Sequence, residues 1–129
     1  MLVSAAVLNR AARLICAAAG SNPGECDAVA NLLVEANLRG HDSHGIGMLP
    51  QYIQAVQRGA LRVNQHAQIV IKTGSILVID GRWGYGQVIG AEAMNHAIGL
   101  TRSTGMALVA LRNSHHLGRI GGWAEECLD

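Results

Sequence analysis

The sequence predicts an α/β chain in which a helical section precedes a section where strands and helices alternate. Apolar residues recur at helical spacing as far as Gly59. The period then shortens to two runs rich in β-branched residues, 68–73 and 75–80, around Gly74. Beyond them a helical pattern, a short apolar run and a second helical pattern follow one another to the end. The expected division is a helical section over 1–62 and an α/β section over 63–129, with no internal repeat and no low-complexity linker.

Val3, Val7, Leu14 and Ala18, widened by Leu8 and Ile15, predict a first amphipathic helix with this stripe as its apolar face, ended by Gly20. Asn22-Pro23-Gly24-Glu25 predicts the next start. Asn22 is the N-cap, Pro23 sits where its missing N–H costs nothing, and Glu25 is placed to close a capping box. The second helix should run to about Arg39 with Val29, Leu32, Leu33 and Ala36 inward, Asp27, Asn31 and Glu35 outward, and Gly40 as C-cap. A third helix carries Tyr52, Ile53 and Val56, with Asp42 or Ser43 expected to cap it. Two strands meeting in a tight turn at Gly74 come next, then a loop over Gly81–Gly86. A helix over Ala91–Thr104, a buried strand over Met106–Leu111 and a helix from Ile120 to Leu128 complete the prediction.

Composition excludes several function classes. A 50% hydrophobic, 15% charged chain with net charge +1 is globular rather than disordered. Its arginines are scattered singly and it has no phenylalanine, so neither a basic patch nor a base-stacking surface points to nucleic acid. No run approaches the ~20 continuous apolar residues of a membrane span, and Arg10 and Arg13 interrupt the first apolar stretch where a signal segment should be uncharged. Cys16, Cys26 and Cys127 are odd in number and lack metal or redox spacing, which predicts free thiols in a reducing cytoplasm.

Chemistry concentrates in two motifs about seventy residues apart, Gly40-His41-Asp42-Ser43-His44-Gly45 and Asn113-Ser114-His115-His116-Leu117-Gly118. Together they hold four of the six histidines. Histidine titrates near neutral pH, a neighbouring serine can orient its ring or share its proton, and glycine admits a ligand close to the backbone. Gly84-x-Gly86 with Gly90 lacks the spacing of a dinucleotide fingerprint, so turn geometry is the stronger reading of these glycines. His66 and His96 read as ordinary solvated or packed histidines, Trp83 and Trp123 as core or interface packing, and Asp80 as a strand-end turn residue.

Taken together, Glu35-Ala-Asn-Leu-Arg-Gly-His-Asp-Ser-His-Gly45, Asp80-Gly81 with Gly84-Tyr-Gly86-Gln87, and Arg112-Asn-Ser-His-His-Leu-Gly118 resemble the malate/L-lactate dehydrogenase family. That family also takes in sulfolactate and ureidoglycolate dehydrogenases and cyclic imino-acid reductases. The three motifs stand in the right order through nearly all of the chain. The resemblance implies a mixed sheet with helices, a non-Rossmann nicotinamide-binding domain begun within 63–129, and a homodimer. It also implies transfer of a hydride between NAD or NADP and a small 2-oxo or 2-hydroxy acid. Reduction leaves an alkoxide that must gain a proton. By resemblance His44 gives or takes that proton, Ser43 is its hydroxyl relay, and His116 binds the substrate or shares the acid–base work. His41 reads instead as a helix-end residue bonded to backbone carbonyls, and His115 as a surface or supporting residue.

Two departures from the family pattern bear on this. Many relatives carry an arginine five residues after the motif serine, where this chain has Met48. The substrate carboxylate is then gripped by another cation, with Arg119 the candidate, or the site takes bulkier, more apolar 2-oxo acids that the thioether packs against. Relatives are also much longer, so the cofactor contacts and the relay's acidic partner are expected beyond residue 129 and this piece alone is expected to be inactive. Two other classes stay open on the residues: a hydrolase whose metal is held by His41, His44, His115 and His116, and a dimerisation or interaction module without chemistry.

Overall fold

The computed structural model describes residues 2–128. They fall into two compact units, the chain passing from one to the other between Asn64 and Gln65. The first unit is helical: α1 (Ala5–Ala18), α2 (Pro23–Leu38) and α3 (Leu49–Gln57), with two short 3-10 turns, Asp42–His44 and Ile46–Met48, between α2 and α3.

α1 packs on α2 through its small residues. Ala12 and Cys16 are fully buried, whereas Val7 and Leu14 of the predicted apolar stripe are 58% and 63% exposed, with Val3 and Ile15 also exposed. Periodicity reads where a helix is greasy; the face that lets two backbones approach is the Ala12–Cys16 face. Polar stitches tie the pair, Asn9 Nδ2 donating to Asn31 Oδ1 at 2.7 Å and Arg13 pairing with Asp27 at 2.8 Å.

Asn22 caps α2 as expected, its Oδ1 accepting from the Glu25 amide at 2.9 Å. The reciprocal half of the capping box does not form. Glu25, 4% exposed, takes the Asn64 amide with both carboxylate oxygens, at 3.0 and 2.9 Å. Asn64 Oδ1 in turn accepts from the Asn22 N–H at 2.7 Å, and its Nδ2 donates to Gly20 O at 2.8 Å. Asn64 therefore clamps the α1–α2 turn from the far end of the unit, in a left-handed conformation (φ 59°) that asparagine tolerates better than most residues. Asn64→Ala loses two side-chain hydrogen bonds and meets the left-handed penalty, an expected loss of about 2–3 kcal/mol in urea unfolding. Asn64→Gly should lose about 1 kcal/mol less; equal losses would remove the left-handed share from this account.

α3 also differs from expectation at its start. Neither Asp42 nor Ser43 caps it, because the two 3-10 turns intervene and Met48 stands at the N-cap without a side-chain bond. Pro50 lies in the first turn, and Tyr52, fully buried, anchors the helix with Leu49 and Ala55.

The second unit is a three-stranded mixed sheet with two helices: β1 (Gln68–Thr73), β2 (Ile76–Asp80), α4 (Gly86–Thr104), β3 (Leu108–Arg112) and α5 (Ile120–Glu125). β1 and β2 form the expected hairpin, antiparallel, with a bulge between Ile69 and Ile71 and Gly74 at φ 52° in the turn. β2 and β3 run parallel, in register from Ile76↔Leu108 to Asp80↔Arg112, so α4 is the crossover of a βαβ unit. Leu77 and Ile79 alternate inward from β2 and close over Ala93 and Leu100 of α4, with Val109 and Leu111 of β3 beside them. Leu77 and Ile79, 2% and 0% exposed, each contribute ~2 kcal/mol of transfer free energy. α4 begins five residues before the predicted Ala91, at Gly86, because its first turn is apolar and glycine-rich yet helical. Trp123 of α5, 9% exposed, lies on Gly90 and donates its Nε1–H to Leu117 O at 3.1 Å, which makes it a core residue as expected. Trp83 is the opposite, 45% exposed.

Candidate active site

The first histidine motif is shaped by the end of α2. After Gly40 (φ 77°) the His41 amide donates back to Ala36 O at 2.8 Å, and the chain enters the 3-10 turn that carries Asp42, Ser43 and His44. Asn37, in the last turn of α2, reaches over it. Its Nδ2 donates to Asp42 Oδ1 at 2.5 Å and its Oδ1 accepts from the Ile46 amide at 2.7 Å. A Cβ on Gly45 would land on that carboxamide, so glycine is required there by space alone. Asn37 was not singled out in the sequence; its only signal is its place inside the Glu35–Gly45 motif.

Within this turn Ser43 Oγ and His44 Nδ1 lie 2.9 Å apart, with Ser43 exposed and His44 half-buried. The serine hydroxyl thus fixes the imidazole through its Nδ1 edge. Met48, one turn on, is half-buried.

The second motif follows β3. Asn113 turns the chain at φ 53°, and residues 113–118 are laced to the turn after β2: Gly81 N donates to Arg112 O (2.8 Å), Trp83 N to Asn113 O (2.6 Å) and His115 N to Gly84 O (3.1 Å). The glycines serve this contact. A Cβ on Gly86 would fall on the His116 carbonyl and within 2.7 Å of Leu117 Cα, and one on Gly81 would come within 3.0 Å of Asn113 O. Close packing against the 113–118 loop thus accounts for glycine at 81 and 86.

His116 Nδ1 accepts the Gly118 N–H at 3.3 Å, which leaves the proton of the neutral ring on Nε2. Arg119, the candidate for the missing carboxylate grip, is otherwise engaged. Its two terminal nitrogens meet both oxygens of Glu125, at 3.0 and 2.8 Å, and its side chain is only 12% exposed. Among the described residues no three His, Cys, Asp or Glu side chains converge as a metal site, and no helix is long and apolar enough to cross a membrane.

Two groups of this unit titrate away from their ordinary values. The Arg82 amide, aided by Asn113 and Arg112 and opposed by desolvation, holds the Asp80 carboxyl below the usual range. Burial, and then the neighbouring His116 charge, pushes the His115 imidazole down. A depressed histidine value means that the unfolded chain takes up its proton first. Stability is then full above about pH 6.5 and is lost as pH falls toward the folded value. Urea midpoints are expected to drop between about pH 7 and pH 5, and to drop less in His115→Gln; an equal drop in both would remove His115 as the cause.

Comparison with known proteins gives the family. The sequence model of malate/L-lactate dehydrogenases matches residues 3–129. This chain belongs to the malate/L-lactate dehydrogenase family. It is 50% identical over 108 residues to hydroxycarboxylate dehydrogenase B of Escherichia coli O157:H7, covering 84% of this chain and 30% of that protein. It is 42% identical over 96 residues to L-sulfolactate dehydrogenase of Methanocaldococcus jannaschii, covering 74% of this chain and 28% of the relative. The structure superposes on malate dehydrogenase from Pyrococcus horikoshii OT3 with a TM-score of 0.92 at 31% identity, covering 98% of this chain and 36% of the other. The chain thus spans about a third of the length of the relatives that it matches. The mixed helix-and-strand fold expected of this family member is the one observed.

Proposed function

We propose that this family member supplies the acid–base part of a 2-hydroxyacid dehydrogenase, a protein that moves a hydride between NAD or NADP and a small 2-oxo or 2-hydroxy acid. The observation that carries the reading is the Ser43–His44 pair, 2.9 Å apart on a turn held by Asn37. When bound, the nicotinamide supplies or accepts the hydride. His44 exchanges the proton that the substrate oxygen gains or loses, through Nε2, while Ser43 fixes its ring and passes a proton at Nδ1. His116, with its proton on Nε2, donates to the substrate or shares that work.

Met48 lines the substrate pocket in this reading and favours bulkier, more apolar 2-oxo acids than an arginine there would. Arg119 would grip a carboxylate only by exchanging it for Glu125. The work is assigned to a cytoplasmic homodimer, and no residue of this chain is assigned to hold the cofactor.

The test is oxidation of NADH and NADPH by the intact protein against a series of 2-oxo acids from small to bulky. Turnover with at least one acid supports the reading; a folded protein that oxidises neither cofactor with any of them overturns it. Met48→Arg is expected to move the ranking toward small, strongly anionic acids by about tenfold or more in kcat/KM, and an unchanged ranking would discard the role of Met48.

A further inference from the structure

We propose that Asp80 is a positioning residue for His116: its carboxylate, at the end of β2, sets the path of the loop that carries the imidazole. The proposal rests on the role given to His116 above.

A strand-end aspartate commonly closes a local turn by accepting the amide two residues on. Asp80 does this, Oδ1 taking the Arg82 N–H at 2.9 Å. Its other oxygen leaves the turn altogether. Oδ2 accepts from Arg112 Nε at 3.0 Å, on the last residue of the neighbouring parallel strand, and from Asn113 Nδ2 at 2.9 Å, on the residue that follows it. The side chain is 17% exposed, against 60% for Arg112, so the carboxylate is the enclosed centre of the group and the arginine its outer cover.

The backbone around this carboxylate is strained. Arg82, Trp83 and Asn113 have φ of 52°, 65° and 53°. Left-handed conformations are costly for most non-glycine residues, least so for asparagine, and persist where the surroundings over-determine them. Here Asp80 binds the first and third directly, and Trp83 N is held to Asn113 O at 2.6 Å. Asn113 is the point where β3 reverses toward Ser114, His115 and His116. With its carboxamide and backbone both fixed from the β2 turn, and with His115 N on Gly84 O, the chain reaches His116 along one course. Asp80 acts through Asn113, three residues before His116 in the chain.

Three variants of the intact protein test this: Asp80→Ala, Asp80→Asn, and the swap Asp80→Asn with Asn113→Asp, which returns a carboxylate–carboxamide pair to the same place with donor and acceptor exchanged. Asp80→Ala and Asp80→Asn are expected to lower kcat by about 10–100-fold with KM changed by less than about threefold. They should also shift the His116 Cε1–H resonance, and the swap should recover most of both. Asn64→Ala, which weakens the helical unit by breaking the Asn64 clamp, is the control for stability alone and should leave kcat in place below its melting temperature. Should Asp80→Ala fail to fold, Asp80→Asn carries the same comparison.

Unchanged kcat and an unmoved His116 resonance in Asp80→Asn overturn the proposal, as does a swap that recovers neither. His116→Ala separates this from the function reading. Full activity in His116→Ala removes the catalytic role while the resonance still decides the positioning. Lost activity in His116→Ala with normal activity in Asp80→Asn removes the positioning alone.

Discussion

Alanine in place of His44 is expected to lower kcat for 2-oxo acid reduction in the intact protein by about 10²–10⁴-fold, the range for removing a general acid. Ser43→Ala should lose less, because the ring keeps its place on the 3-10 turn and only the partner at Nδ1 disappears. His116→Ala should fall between them if it shares the proton, or raise KM alone if it only binds the substrate. Steady-state kinetics separates these outcomes. A His44→Ala protein as fast as the parent would leave the Ser43–His44 pair as loop structure.

The largest structural effect is expected at Gly86. A methyl group there meets backbone, the His116 carbonyl and Leu117 Cα, rather than the tip of a side chain that could swing away. Either α4 shifts at its first turn or the 113–118 loop moves out. Gly86→Ala should cost about 3 kcal/mol or more in urea unfolding and should displace the His116 resonance. Gly99, with nothing within 4 Å of the same probe position, is the contrast: Gly99→Ala should be neutral or stabilising by about 0.5–1 kcal/mol, as for glycine in an open helix position. Comparable losses at both positions would contradict the packing argument.

Much of the local geometry of the candidate site was legible because its residues are neighbours in the chain. Ser43 touches His44, and the Asn113–Gly118 run lies on one loop, so motif and place coincide. The β1–β2 hairpin was legible for the same reason, through Gly74 between two β-branched runs. What escaped depends on partners far along the chain. Glu25 fits a capping box by spacing, yet it binds Asn64, thirty-nine residues away, and nothing local to either residue announces it. Asp80 read as a turn residue because one of its bonds is a turn bond; the two that matter cross to β3.

α1 failed differently. Its hydropathy pattern is real, and Val7 and Leu14 do share a face, but that face is turned from α2 because Ala12 and Cys16 allow the closer approach. Hydrophobic periodicity ranks faces by transfer free energy and contains no term for how near two helices can come. The early start of α4 has a related cause. Gly86, Gly90 and their neighbours look like loop composition, whereas each of these glycines admits something specific, the His116 carbonyl and the Trp123 ring.

The most direct test of the central claim, that the Ser43–His44 pair moves the substrate proton, is the pH dependence of kcat/KM for 2-oxo acid reduction in the intact protein and in His44→Asn. A general acid acts only in its protonated form, so a rate that depends on proton donation falls on the alkaline side. The account predicts that this falling limb disappears in His44→Asn, leaving a low rate that no longer follows that proton. A limb of the same position and depth in both proteins would contradict it.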